Sequence, residues 1–290
     1  MSEMSDERIA VPAASRDGRA EEQAPGPAPG RKTARSWLEQ PALRLAAAFA
    51  LPLGVLAAWQ AAAALDLIAV RWFPPPLTLL DTFAALAAGG ELGSHVGITA
   101  LRVLSGFALG AALGTLAGAA TGCSPSLMAV LDPTLQALRS IPALAWVPLY
   151  ILWFGIYEQS KILLIATAVF FPVYLTLSSG IAQVDRRLLE VGRIFGMGTA
   201  ALVLRIIMPA ALPYWVAALR TGLGMGWMCA VAAELMGASR GVGFLMHEAQ
   251  QFSRADVIMT SIVLFAVLGK ISDWMLVLLR NRLLRYQQTG

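Results

Sequence analysis

Four stretches of this chain, 45–65, 103–131, 140–157 and 162–184, contain no Asp, Glu, Lys or Arg. No other feature narrows the fold so far. A helix rises about 1.5 Å per residue and so needs about 20 mostly apolar residues to cross about 30 Å of hydrocarbon, where backbone amides find partners only within the helix itself. Two further stretches, 210–235 and 257–279, are long and apolar but carry Arg220, and Lys270 with Asp273. Six spans and an all-α integral membrane fold are expected. The composition agrees, since 14% charged residues is well below the roughly 25% of a soluble domain.

Within that plan, Thr121, Gly122, Ser124 and Pro125 interrupt the longest run and predict that the second helix ends near Gly122. Pro133, Pro142 and Pro148 make the third span irregular. Between the first two spans, Pro74-Pro75-Pro76 followed by residues 77–88 reads as an extended segment leading into a short amphipathic helix on the membrane surface, with a solvated loop as the alternative.

Orientation follows from where Lys and Arg fall in the connections. With the amino terminus inside, the inner segments 1–44, 122–139, 183–209 and 280–290 hold 15 of them, against Arg71, Lys161, Arg240 and Arg254 outside. Both termini are therefore expected in the cytoplasm. Trp72 and Trp153 suit the outer interface and Trp37 the inner one. Residues 1–44, with Ala-Pro-Gly-Pro-Ala-Pro-Gly at 24–30, lack apolar periodicity and are expected to be a disordered cytoplasmic tail, leaving 45–290 as the transmembrane domain. A cleaved signal peptide ending in the small residues 61–64 is the competing expectation, although the apolar run and its charged lead are both long for one.

The connection between the fourth and fifth spans, about 185–209, is the most informative. Asp185 can cap a short helix from about Arg186 to Phe195, and Gly196 can take the left-handed conformation that ends it. Leu188, Leu189, Ile194 and Phe195 alternate there with Arg186, Arg187, Glu190 and Arg193. Such a mixed surface suits a groove of another protein.

Glu190, Gly196 six positions on, then Ile206 and Pro209 resemble the EAA loop of permease subunits of ATP-binding-cassette importers of the type I fold. Val191 and Gly192 stand where that loop has two alanines, and Met208 where leucine is usual. The likeness extends over about 74–286. Segment 140–155, Lys161-Ile-Leu-Leu-Ile165, Leu188-Leu-Glu190 and 233–239 look like the branch that imports nitrate, aliphatic sulfonates, taurine and related small anions. The resemblance implies a multi-pass protein of the bacterial inner membrane whose pathway is formed with a second copy of itself. It further implies a cytoplasmic ATPase dimer that binds the ATP, a binding protein outside that delivers solute, and a coupling role for Asp185, Arg186, Arg187, Glu190, Arg193, Gly196, Ile206 and Pro209. No phosphate loop occurs, because Gly269-Lys270-Ile271-Ser272 lacks both the earlier glycine and the adjacent hydroxyl. The chain is thus expected to be no enzyme and to hold no cofactor.

Other patterns leave alternatives open. Gly106, Gly110, Gly114, Gly118 and Gly122 form a smooth stripe for packing inside the subunit, across a dimer, or on a moving surface. Gly222 and Gly226 form a shorter patch, for packing or for lining a pathway. Arg220, near mid-membrane, either lends positive potential to an anion pathway or pairs with Glu234 or Asp273. Lys270 and Asp273, three apart, are expected to neutralise each other. Glu234 reads as a contact for the binding protein or as a solvated rim. Two cysteines and two histidines give little material for a metal or disulfide, and a net charge of +4 does not suggest nucleic acid. A secondary transporter working without an ATPase would need intramembrane ionisable groups or repeated halves, and only Arg220, Lys270 and Asp273 qualify.

Overall fold

The computed structural model describes residues 41–284, with side chains from residue 49 onward, and every regular element among them is helical. The tail expected over 1–44, apart from its last residues at the start of α1, lies outside the described residues, as does Trp37. The helices are α1 Pro41–Ala64, α2 Pro76–Ala88, α3 Leu92–Cys123, α4 Pro125–Arg139, α5 Val147–Phe154, α6 Glu158–Ala182, α7 Arg186–Ile194, α8 Thr199–Leu202, α9 Met208–Leu235, α10 Val242–Gln251 and α11 Ala255–Leu283. The chain from Val55 onward forms a compact unit, separate from the part that ends at Gly54. The helix contacts of the bundle lie within that unit.

Four helical stretches are long and apolar enough to cross a membrane alone: α3, α6, the rod Thr199–Leu235 and α11. Two expectations need correction. The third span is not 140–157, which holds only a 3-10 turn, Ala143–Trp146, and the eight residues of α5. The expected loop 122–139 is instead mostly α4, begun by Ser124, whose hydroxyl accepts from the Leu127 amide at 3.3 Å, and by Pro125 at the first helical position. Pro142 offers no N–H and pushes Ile141 away from helical backbone, so α4 stops at Arg139 and the chain turns by 87° into the next segment. Helix α3 also starts at Leu92, eleven residues before its charge-free run.

The direction of α3 and α6 settles what the bent pair does. Gly106 faces Ile165, Gly114 faces Phe170 and Val173, Gly118 faces Tyr174, and Gly122 faces Ile181, so both helices advance the same way. Two parallel spans need a return crossing between them. Segment 125–154 is that crossing, broken at its middle: Asp132 of α4 accepts from the Tyr174 hydroxyl at 2.9 Å, and the Tyr150 hydroxyl meets that of Thr167 at 2.5 Å. Helix α9 then runs antiparallel to α6, since Gly180 faces Tyr214 whereas Gly226 faces Val169 and Ile165.

The glycine stripe of α3 is therefore a seat for α6 within one chain. A Cβ at Gly114 or Gly118 would stand 2.8 Å from the carbonyl oxygen of Phe170 or Tyr174, and backbone cannot swing aside as a side-chain tip can. Gly114→Leu should destabilise the purified permease by about 1–3 kcal/mol or more, read as a lowered thermal midpoint in detergent. Gly224→Ala, which meets nothing within 4 Å, should leave the midpoint unchanged. Packed against α11, α2 is a helix rather than a solvated loop. It buries Leu79 and Thr82, and Thr82 donates to Asp256 of α11 at 3.2 Å.

Candidate functional site

At the end of the bundle where α3 and α6 finish, α7 stands outside the spans. Asp185 caps it, its carboxylate accepting from the Arg187 amide at 2.9 Å. Gly196 ends it at φ +72°, with the Met197 amide donating to the Gly192 carbonyl at 3.1 Å and the Gly196 amide to that of Arg193 at 2.9 Å. This pairing is the Schellman closure. Gly192 is the buried residue of the helix. A Cβ there would lie 2.5 Å from the Leu202 side chain and 2.7 Å from that of Ile206, so a glycine in place of alanine lets α7 settle onto the segment carrying Ile206.

That segment, Val203–Ile207, is a π-helical turn. In a regular α-helix Pro209 would press on the Arg205 carbonyl and offer it no N–H. The wider turn accommodates the proline, and the Met208 amide donates to the Val203 carbonyl. Beneath α7, a groove of about 400 Å³ is lined by Arg186, Leu189 and Arg193 together with Met128, Ile181 and Leu202. Arg187 and Glu190 are exposed and stand clear of that groove. Four apolar side chains point into solvent: Leu188, Val191, Ile194 at 82% exposure and Phe195 at 78%.

The larger cavity, about 840 Å³, opens among the α4–α5 break, α6 and α9. Its polar lining includes Gln136, Arg139, Thr176, Ser179, Gln183 and Thr221. The face of α9 that reaches it carries Tyr214, Thr221 and Met225. Gly222 and Gly226, one residue further round, lie against Val173 and Val169 of α6. Arg220 turns to α11 and holds Asp273 with both ends of its guanidinium, at 2.7 and 2.9 Å. Asp273 is thus taken mainly by Arg220, while Lys270, 80% exposed, stays 4.0 Å away.

At the opposite end of the bundle is a buried polar cluster that sequence reasoning missed. Arg102, 1% exposed, grips Glu158 of α6 through Nε at 2.5 Å and Nη2 at 2.7 Å. Its Nη1 donates to Glu234 of α9 at 2.7 Å and to the Arg240 carbonyl at 2.6 Å. Glu234 also accepts from the Thr99 hydroxyl at 2.7 Å and the Gly243 amide at 2.8 Å, so it is neither a solvated rim nor the partner of Arg220. Lys161 donates to the Ile156 carbonyl at 2.8 Å. The cluster ties α3, α6, α9 and the start of α10 together. Arg102 stands one residue before a charge-free run, and nothing local marks it; its partners lie 56 and 132 positions away.

Residues 110–285 match the family model described as binding-protein-dependent transport system inner membrane component. The chain is 42% identical over 239 residues, 82% of its length and 87% of the relative's, to the putative aliphatic sulfonates transport permease of Bacillus subtilis. It is 34% identical over 234 residues, 79% of its length and 85% of the relative's, to the taurine transport system permease of Escherichia coli. Its fold is similar to that in the crystal structure of an amino acid ABC transporter with histidines, with a TM-score of 0.58 at 18% identity, covering 69% of this chain and 97% of the other.

Proposed function

Because the chain belongs to the family of binding-protein-dependent transport system inner membrane components, we propose that it forms, with a second copy of itself, the pathway for a small anion, an aliphatic sulfonate or taurine in the first instance. It is a multi-pass inner-membrane permease subunit of an ATP-binding-cassette importer and not itself an enzyme, and its function requires an ATPase and a substrate-binding protein. A carrier working without an ATPase is thereby set aside. The solute is argued from the relatives named for aliphatic sulfonates and taurine, with nitrate in the same chemical range.

The observation that carries the coupling assignment is α7: a capped rod outside the spans with Leu188, Val191, Ile194 and Phe195 facing solvent. Exposed apolar surface of this kind marks an interaction site. We assign α7 to the ATPase, with Arg187 and Glu190 flanking the contact and Gly192 and Ile206 transmitting force to α9. The excess of Lys and Arg on the α7 side supports a cytoplasmic position for that end and for both termini. The large cavity then lies on the cytoplasmic side of the Arg102 cluster, an inward-facing arrangement, and lipid surrounds the outer faces.

The test is reconstitution of the permease with its ATPase and binding protein in vesicles. Sulfonate-loaded binding protein should stimulate ATP hydrolysis and drive uptake of labelled sulfonate. Gly196→Pro should abolish that stimulation while the permease still inserts, since proline cannot adopt φ +72°; normal stimulation in that variant would count against the coupling role.

A further inference from the structure

We infer that Arg139 is the residue that makes the large cavity favour anions, an inference that rests on the proposed reading of the solute as a small anion. Among the described residues lining that cavity, Arg139 is the one cationic side chain and none is a carboxylate. The side chain has no carboxylate partner among the described residues; its Nη1 donates to the neutral amide of Gln136 at 3.2 Å. Four cations deeper in the crossing helices, away from the terminal turns that carry Arg205, Arg280 and Arg282, are engaged differently. Arg102 and Arg220 are held by carboxylates, Lys161 by two carbonyls and Glu158, and Lys270 lies beside Asp273.

An uncompensated charge at membrane depth persists where it faces water, and the cavity of about 840 Å³ provides that. By loop position alone Arg139 counts as one more cytoplasmic cation. The structure moves it to the break in the α4–α5 crossing, where the turn enforced by Pro142 presents its side chain to the cavity. Around it Gln136, Ser179, Gln183 and Thr221 add neutral donors, suited to an oxyanion that must pass on rather than stay. Arg139 also ends α4, where a cation offsets the helix dipole. The experiment must separate these roles.

Ser179→Cys, in a chain with Cys123→Ser and Cys229→Ala, places one thiol on the cavity wall of the permease in its full complex. Its reaction rates with negatively charged sulfonatoethyl and positively charged trimethylammonioethyl methanethiosulfonate give a ratio set by the local potential. Arg139→Gln should lower the anionic-to-cationic ratio by about fivefold or more, the size expected for one charge acting through wet protein on reagents of opposite sign. Arg139→Lys should preserve it. Uptake of a labelled short alkanesulfonate should fall at least tenfold in Arg139→Gln and recover in Arg139→Lys. A ratio unmoved by Arg139→Gln overturns the inference whatever solute is carried. A ratio that falls while the unmodified complex carries neither sulfonate nor taurine overturns the solute reading and upholds the role of Arg139 in the cavity's potential.

Discussion

Arg102→Ala is expected to leave a permease that reaches the membrane at much reduced level and, once solubilised, unfolds far below the unmodified protein. The guanidinium is shared between Glu158 and Glu234, and the Glu234 side chain is fully enclosed. Removing the cation leaves that carboxylate with only neutral donors in contact, the Thr99 hydroxyl and the Gly243 amide. Breaking a buried pair by deleting one partner costs about 3–5 kcal/mol, a large share of the 5–15 kcal/mol typical of a domain. Arg102→Lys should recover little, because one ammonium cannot reproduce the planar fork that reaches Glu158, Glu234 and the Arg240 carbonyl at once. Arg102→Met with Glu234→Gln should be more stable than Arg102→Met alone, since the second change removes the stranded charge. Thermal denaturation followed by size-exclusion chromatography reads all four. An Arg102→Ala protein with an unchanged midpoint would show that the cluster does not hold the helix ends.

The same cluster marks where reading the chain in one dimension stops. Asp185 and Gly196 announce a helix start and stop because the groups they satisfy lie within a few positions, and the structure places both as the local chemistry requires. The spacing of Gly106 to Gly122 announces a smooth helix face but not what it meets; α6 becomes the partner only because the two spans run parallel. Arg102 gives no local sign at all. Arg139 gives a misleading one, since a cation in an assumed loop and a cation at a break in a crossing look alike until the chain's return between α3 and α6 is known. Arg220 stood with Glu234 and Asp273 as two possible partners. The choice of Asp273 follows from the antiparallel register of α9 and α11, in which Arg220 meets Asp273 and Trp227 meets Phe265, and which no spacing within either helix encodes.

The second large effect concerns α7. Ile194→Asp combined with Phe195→Asp should give a permease that folds and inserts normally yet fails to retain the ATPase or to stimulate its hydrolysis. Both side chains are about four-fifths exposed, so the fold loses little. Covering them in a partner's groove would contribute about 1.5–3 kcal/mol each. Losing that burial and placing two carboxylates in an apolar groove should weaken association by at least about 10²-fold, by the rule that 1.4 kcal/mol is tenfold. Gly192→Val tests the other face of the same rod. Its added atoms would push Leu202 and Ile206 aside, tilting α7 on its seat while leaving the outward apolar residues intact. Here the ATPase should still co-purify, but hydrolysis should respond weakly to loaded binding protein. Co-purification separates the two variants, with binding lost in one and transmission in the other. If the Ile194 and Phe195 double substitution kept both, α7 would not be the surface the ATPase grips.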